Sequence, residues 1–191
     1  VCMRTTYPQP PGGGDAASMP AVVMALHQID MGDSALEPPG FDLDYTCTCF
    51  EGAGDTCSTG SPTPRCDGEG GVDNAASKLF KLVTDSLGDS FFGSEFYSTR
   101  AHLGFWTLLI QLSEYNGLPD DPAVDVAIFV SPGMDPGVAP KWDGTDAWPV
   151  SSDSLGPSGL TTDPLYVSKG AYVADGVLVA SLSTLALRLS G

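Results

Sequence analysis

Basic residues are scarce in this sequence. Its 191 residues include 8 Lys and Arg against 24 Asp and Glu, which gives a formal net charge of −16. That charge repels a phosphate backbone and an anionic membrane surface. The composition therefore predicts no nucleic-acid partner, and it favours divalent cations as charged partners. The alternative is that the charge serves solubility alone.

Long hydrophobic runs are also absent. No stretch approaches the ~20 consecutive apolar residues that a membrane-spanning helix needs. The sequence therefore predicts no transmembrane segment in this chain.

Histidine is nearly absent, with His27 and His102 as the only two. The tripeptide at residues 32–34, Gly-Asp-Ser, resembles the start of a GDS-type serine esterase, but no histidine follows residue 102 to act as its base. There is no G-x-S-x-G motif either. Serine hydrolysis is therefore not predicted. The spacing of the histidines does not indicate a metal pair, and we expect each on a strand, hydrogen-bonded or half exposed.

Glycine and proline, by contrast, are abundant, with 23 and 16 residues. Such a composition is typical of many turns and short strands. Apolar or alternating patterns predict strands at residues 21–31, 41–47, 103–115, 123–131, 172–174, 177–182 and 185–189. We therefore expect a mainly β protein, specifically a jelly-roll-like β-sandwich. Residues 1–20 are predicted to be a Pro/Gly-rich arm or linker, and residues 21–191 a single β-rich domain, with continuation beyond residue 191 left open.

One amphipathic helix is predicted between the strands at residues 41–47 and 103–115. Asp73 or Asn74 supplies a cap, and Gly88 supplies a stop. Between them, apolar residues recur at helical spacing: Ala76, Leu79, Phe80, Val83 and Leu87.

Four of the five cysteines fall in one irregular segment, residues 41–74. A segment so rich in Gly, Asp and Pro buries little apolar surface and needs covalent staples or a cation to hold one shape. Two disulfides are predicted among Cys47, Cys49, Cys57 and Cys66, with the pairing open. A zinc site is the rival, although C-x-C matches its usual spacing poorly. Cys2 is left over. The disulfides predict a secreted or cell-surface location.

The same segment carries a set of hard oxygen ligands on a glycine-rich backbone. Calcium favours such ligands, so a calcium site is predicted at Asp42, Asp44, Asp67, Glu69, Asp73 and Asn74. The alternative is that Asp73 or Asn74 only caps the helix and that the rest of the segment is a solvated turn.

Two tryptophans flank a short acidic loop near residue 145. Sugar faces stack on indole rings while hydroxyls donate to carboxylates. A ligand-binding surface, with glycan as the expected ligand, is therefore predicted at Trp142, Asp143, Asp146 and Trp148, with Tyr115 and Asn116 contributing from another strand end. The alternative is that the indoles fill the end of the β core.

The motifs FDLDYTCTC and CDGEGGVDN resemble those of a group of secreted or lipid-anchored proteins from myxobacteria and related bacteria. That group carries LDL-x-x-x-C-T-C and D-G-x-G-G-[IV]-D-N segments and has no assigned activity. The resemblance covers mainly residues 21–87. It implies an envelope or extracellular location and implies no reaction.

Together these patterns predict a non-catalytic secreted or cell-surface module that binds a glycan or another envelope component, with calcium shaping the acidic loop. One alternative is a structural subunit of an extracellular assembly, which would bind copies of itself. The other is a glycoside hydrolase that uses two carboxylates.

Overall fold

The computed structural model describes residues 3–13, 19–32, 40–48, 66–73, 75–88 and 93–186. Strands outnumber helices among these residues, so the prediction of a mainly β chain is confirmed. In chain order the elements are β1 Val22–Ala25, α1 Ala75–Leu87, α2 Ser94–His102, β2 Thr107–Ser113, β3 Asp121–Ser131, β4 Tyr166–Ala174 and β5 Val177–Val179, with 3-10 turns at Glu69–Gly71 and Ser152–Ser154.

The chain divides into two units. Unit 1 contains Val1–Tyr7 and Ile29–Tyr97, and unit 2 contains Pro8–Gln28 and Ser98–Gly191. Residues of the predicted arm, 1–20, and of the predicted domain, 21–191, therefore occur in both units.

Unit 2 contains an antiparallel sheet in which the strands follow one another in chain order, β1-β2-β3-β4-β5. The register pairs Leu112 of β2 with Val126 of β3, and Tyr172 of β4 with Val179 of β5. The register between β3 and β4 shifts on both sides of Val124, and such bulges bend a strand and increase its twist.

One core cluster of unit 2 lies on one face of this sheet, and Leu109 and Phe129, which pair with each other on the opposite face, are also buried. Alternation along each strand places the apolar side chains of the cluster on its face, and each buried side chain of this size contributes about 1.5–3 kcal/mol. The buried members of the cluster are Leu112, Val124, Val126, Ala171 and Val173, with Ile110, Tyr115, Ile128 and Leu178 packed against them.

Two sequence predictions about strands hold well. The strand expected at residues 123–131 is β3, which begins two residues earlier. The hairpin expected at Asp175-Gly176 joins β4 to β5, and both residues have positive φ, 51° and 76°. A two-residue turn with positive φ at both positions matches the twist of the flanking strands.

Other strand predictions were too long or wrong. The strand expected at 21–31 is β1, only Val22–Ala25, and that at 103–115 begins at Thr107, because Gly104 has a φ of 84° and turns the chain. The strand expected at 177–182 ends at Val179. Residues 41–47 form bends rather than a strand, because aspartate side chains take up backbone N–H groups there. The strand expected at 185–189 falls mostly outside the described residues.

The predicted helix is confirmed as α1, but α2 was not predicted. The residues of α2 place no apolar stripe on one face, so the sequence offered no helical periodicity to detect. Neither α1 nor α2 combines the length and hydrophobicity needed to cross a bilayer. The described strands form one sheet, and the second, facing sheet of a β-sandwich stays a prediction.

Candidate functional site

Three carboxylates converge in unit 1. Asp42, Asp44 and Asp73 each offer an oxygen atom, and these oxygens all lie within 4.8 Å of one another. Oxygens that share one calcium ion at about 2.3–2.6 Å lie at most about 5 Å apart. This acidic cluster, defined by the three aspartates, therefore has the spacing of a cation site.

Backbone hydrogen bonds bring the segments of the acidic cluster together. The N–H of Thr5 donates to the carbonyl of Gly70, and the carbonyl of Thr5 accepts from the N–H of Asp42, both at 2.8 Å. The N–H of Asp73 donates to the carbonyl of Phe41 at 3.0 Å. Three stretches that are distant in sequence are thus joined beside Asp42.

Asp44 and Asp73 are each oriented through one carboxylate oxygen. Oδ2 of Asp73 accepts from the N–H groups of Leu43 and Asp44, at 2.7 and 3.2 Å. Oδ1 of Asp44 accepts from the N–H and the hydroxyl of Thr46, at 2.9 and 2.7 Å. These bonds fix both carboxylates in place beside Asp42.

Asp42 is the unusual member of the acidic cluster. Its side chain is 0% exposed, and neither of its oxygens accepts a hydrogen bond from any described residue. Nε of Arg4 lies 3.9 Å from Oδ2, which is beyond hydrogen-bonding distance, and the same guanidinium donates to the carbonyl of Tyr45. Burying a carboxylate that accepts no hydrogen bond costs several kcal/mol, and the long ion pair with the half-exposed Arg4 offsets only part of that cost. The site thus contains a charge that a bound cation would stabilise.

Asp67 and Glu69, also predicted to bind calcium, are not members of this cluster of described residues. Oδ2 of Asp67 accepts from the N–H of Thr48 at 2.6 Å. Glu69 begins a 3-10 turn. Asn74 lies outside the described residues.

Two of the predicted disulfide cysteines lie in the described part of unit 1. Each of them, Cys47 and Cys66, takes part in a disulfide bond. Cys49 and Cys57 lie outside the described residues, as does Cys2, so the pairing among the cysteines and the stapled loop stay predictions.

A second cluster lies in unit 2. Trp142 and Trp148 are both half-buried, with ring centroids 5.3 Å apart and planes tilted by 50°. Trp142 also packs edge-to-face on His27, at 4.6 Å between centroids. Its Nε1 donates to the carbonyl of His102 at 3.1 Å. We call these four residues the aromatic cluster. Trp106, in contrast to these two tryptophans, is buried in the core, at 2% exposure.

The strand register places the aromatic cluster at one end of the sheet. Ala25, at the end of β1, pairs with Leu109, near the start of β2, so residues that follow β1 and residues that precede β2 lie at the same end. The loop after β3 starts there too, since Ser131 pairs with Thr107. The sequence placed both histidines on strands. This was wrong, because His27 follows β1 and His102 is the last residue of α2.

Gly104 lets the loop that carries Trp142 approach α2. The carbonyl of Gly104 accepts from the N–H of Met134 at 2.7 Å. A Cβ at Gly104 would lie 2.8 Å from Cδ of Pro140, closer than packed carbon atoms come. Only glycine permits this approach at the observed φ of 84°.

The two aspartates of the tryptophan loop shape its backbone. Oδ2 of Asp146 accepts from the N–H of Trp142 at 2.8 Å. Oδ1 of Asp143 accepts from the hydroxyl and the N–H of Thr145, at 2.6 and 3.0 Å. The hydroxyl bond, followed by the backbone bond, lowers the pKa of Asp143 below its usual value. An exposed, ionised acceptor therefore lies next to the half-buried indole of Trp142.

Tyr115 and Asn116, the other predicted ligand-binding residues, lie at the opposite end of the sheet. They belong to the turn that joins β2 to β3, where the hydroxyl of Tyr115 donates to the carbonyl of Leu118 at 2.9 Å. The amide of Asn116 bonds the carbonyl of Asp120 and the N–H of Leu118. The structure does not bring these two residues to the aromatic cluster.

No family model, curated protein or solved structure matches this chain. The resemblance to secreted myxobacterial proteins stays a prediction. The functional assignment therefore rests on the geometry of the two clusters.

Proposed function

We propose that the protein is a non-catalytic, extracytoplasmic binding module whose acidic cluster holds a calcium ion. The observation that carries this proposal is the buried Asp42, whose oxygens accept no hydrogen bond from a described residue. Its neighbours Asp44 and Asp73 add two more negative charges within 4.8 Å. A divalent cation would offset two of these three charges, and the Arg4 guanidinium, 3.9 Å from Asp42, faces the third.

Calcium is the cation that fits this set of ligands best. The cluster offers only carboxylate oxygens, whereas zinc sites are usually built from cysteine and histidine. Calcium takes 6–8 oxygens in flexible geometry, while magnesium requires a near-ideal octahedron and gives up its water reluctantly. The irregular backbone of residues 41–47 suits the less demanding ion, with water or backbone carbonyls supplying the remaining ligands.

Thermal melting with calcium and with a chelator tests the site. A cation that binds only the folded protein raises its stability by about 2.7 kcal/mol at a concentration 100-fold above Kd. We expect calcium to raise the Tm by several degrees, and magnesium at the same concentration to raise it less.

A matched pair of variants tests the location. Asp44→Asn should weaken calcium binding, measured by titration calorimetry, while Asp67→Asn should leave it unchanged, because Asp67 lies outside the cluster. Both asparagines keep an oxygen that can accept the local hydrogen bonds. Equal effects of the two substitutions, or identical melting curves with calcium and chelator, would contradict the proposal.

The extracytoplasmic location is supported by the cysteines. Cys47 and Cys66 are disulfide-bonded, and disulfides persist in oxidising compartments. We propose that Cys49 and Cys57 complete two disulfides that staple the acidic segment. The resemblance to secreted proteins points to the same location.

The ligand that we propose for this module is a glycan, bound at Trp142 and Trp148. One support is the half-buried pair of indoles, whose rings are tilted by 50° and do not stack on each other. The other is the carboxylate of Asp143 in the same loop, whose lowered pKa favours the ionised form. Sugars combine apolar faces with hydroxyl donors, and this surface offers a partner for each.

Pull-down on insoluble peptidoglycan, chitin and cellulose tests glycan binding. We expect retention on at least one of the three, and loss of that retention in Trp148→Ala. Leu160→Ala removes another exposed apolar side chain of unit 2 and should retain binding. Binding to none of the polysaccharides, or equal binding by the two variants, would contradict glycan binding without affecting the calcium proposal.

A further inference from the structure

The only two histidines of the chain form a hydrogen-bonded pair. Nε2 of His27 lies 2.8 Å from Nδ1 of His102, and 75 residues separate them in sequence. One ring must donate the shared proton and the other must accept it. Both side chains are exposed, so the pair is accessible from solvent.

Trp142 holds this pair in place. Its ring packs edge-to-face on His27 at 4.6 Å and lies parallel to the ring of His102 at 6.4 Å between centroids. Its Nε1 also donates to the carbonyl of His102. The backbone N–H of Trp142 is in turn bonded to Asp146. The imidazoles are thus held together by contacts with the same indole.

The spacing of the two nitrogens is close to that of two ligands on one metal ion. Nitrogens bound at about 2.0–2.1 Å, at angles between the square-planar and tetrahedral values, lie about 2.9–3.4 Å apart. For a metal to replace the shared proton, the observed 2.8 Å would need to grow by roughly a few tenths of an ångström, and both exposed rings would need to turn so that their nitrogens, which face each other across the proton, converge on the ion.

We infer that His27 and His102 form a bidentate site for a divalent transition-metal ion. Imidazole suits copper, nickel and zinc, whereas calcium prefers oxygen, so this site is distinct from the acidic cluster in chemistry and in the unit that holds it. Water completes the coordination shell, because both rings are exposed. The net charge of −16 raises the local concentration of cations. Copper(II), which leads the affinity order of the divalent ions, binds tightest.

The test uses the full chain without a polyhistidine tag. Copper(II) is added while tryptophan fluorescence is recorded, and the same samples are examined by electron paramagnetic resonance. We expect saturable quenching with one ion per chain, because the Trp142 ring is 4.6 Å from His27. The resonance spectrum should show hyperfine coupling to two imidazole nitrogens. Calcium should not quench.

His27→Gln, His102→Gln and the double variant locate the site. Each single substitution should weaken copper binding by more than about tenfold, since even outer-shell changes cost about 10–100-fold in metal affinity. The double variant should bind only slightly more weakly than the weaker single variant, because the loss of either imidazole already removes chelation. Circular dichroism establishes that each variant is folded, and His27, which lies in no helix or strand, provides the variant least able to disturb the fold.

Asp42→Asn is the matched control, because it alters the acidic cluster of unit 1 and leaves the histidines intact. It should leave copper binding unchanged. Quenching at undiminished affinity in the double histidine variant would show binding at surface carboxylates only and would overturn the inference. Absence of saturable copper binding in the unmodified chain would overturn it as well.

Discussion

A Cβ atom on Gly71 would lie 3.3 Å from Cγ of Asp42. It would also lie 3.0 Å from Sγ of Cys47 and 3.0 Å from the carbonyl oxygen of Thr46, and both distances are at the limit of tolerable contact. Gly71 has a φ of 77°, a conformation that costs a residue with a side chain of order 1–3 kcal/mol. The bare backbone at residue 71 is therefore what allows the acidic cluster to close around Asp42.

Gly71→Ala should destabilise the protein and weaken calcium binding together. The reason is the combined cost of the positive φ and of the contacts with Cys47 and the backbone. Gly88→Ala is the matched control, since Gly88 has a φ of 83° but a Cβ there meets nothing within 4 Å. Chemical denaturation should show a loss of about 1–2 kcal/mol for the control and more for Gly71→Ala. Equal losses, with unchanged calcium affinity, would show that Gly71 does not support the site.

Leu112→Ala should destabilise the sheet by about 2–5 kcal/mol, because it removes a side chain that is 3% exposed in the core of unit 2. Val167→Ala, on β4, removes a side chain that is 45% exposed and should change the free energy of unfolding by no more than about 0.5 kcal/mol. Denaturant titration measures both. Similar losses for the two would contradict the assignment of the buried face.

Thr145→Val should raise the pKa of Asp143 toward its usual value, because it removes the hydroxyl hydrogen bond that contributes most to lowering it. A carboxyl whose folded pKa is lowered adds stability above the pKa of the unfolded chain, and that stability is lost as pH falls through the folded pKa. Asp143 is exposed, so the change in stability should be small. Carboxyl NMR titration measures the shift, and an unchanged pKa would mean that Thr145 does not hold Asp143.

The cysteines give a direct test of the compartment. Alkylation of the denatured, unreduced protein should label one of the five cysteines, and labelling after reduction should reach all five, because two disulfides leave one thiol. Intact mass reads the number of labels. Labelling of five cysteines before reduction would remove the argument for an extracytoplasmic location.

Local patterns in the sequence predicted the local elements well. The apolar stripe that includes Leu79 and Val83 predicted α1 nearly to the residue, and the Asp175-Gly176 turn predicted the β4–β5 hairpin. Both signals depend on neighbouring residues and on turn chemistry. The start of β2 and the whole of α2 were not predicted correctly. No periodic signal marks where β2 begins, and α2 has no apolar stripe.

Three of the six residues predicted to bind calcium, Asp42, Asp44 and Asp73, converge in the structure. The acidic segment suggested calcium, but the sequence alone could not separate Asp73, which joins the cluster, from Asp67, which binds the N–H of Thr48. The histidine pair was not predicted, because it depends on the antiparallel register of β1 and β2 and on the placement of His102 at the end of α2. Contacts between residues so distant in sequence leave no signature in local spacing.

Asp42→Asn, melted in calcium and in chelator, tests the central claim most directly. In chelator we expect the variant to be at least as stable as the unmodified protein, because a buried amide costs less than a buried carboxylate that accepts no hydrogen bond. In calcium the order should reverse, since only the unmodified protein gains stability from the ion. A variant that is less stable in chelator, and that gains as much from calcium as the unmodified protein does, would show that Arg4 suffices to neutralise Asp42 and would contradict a cation site there.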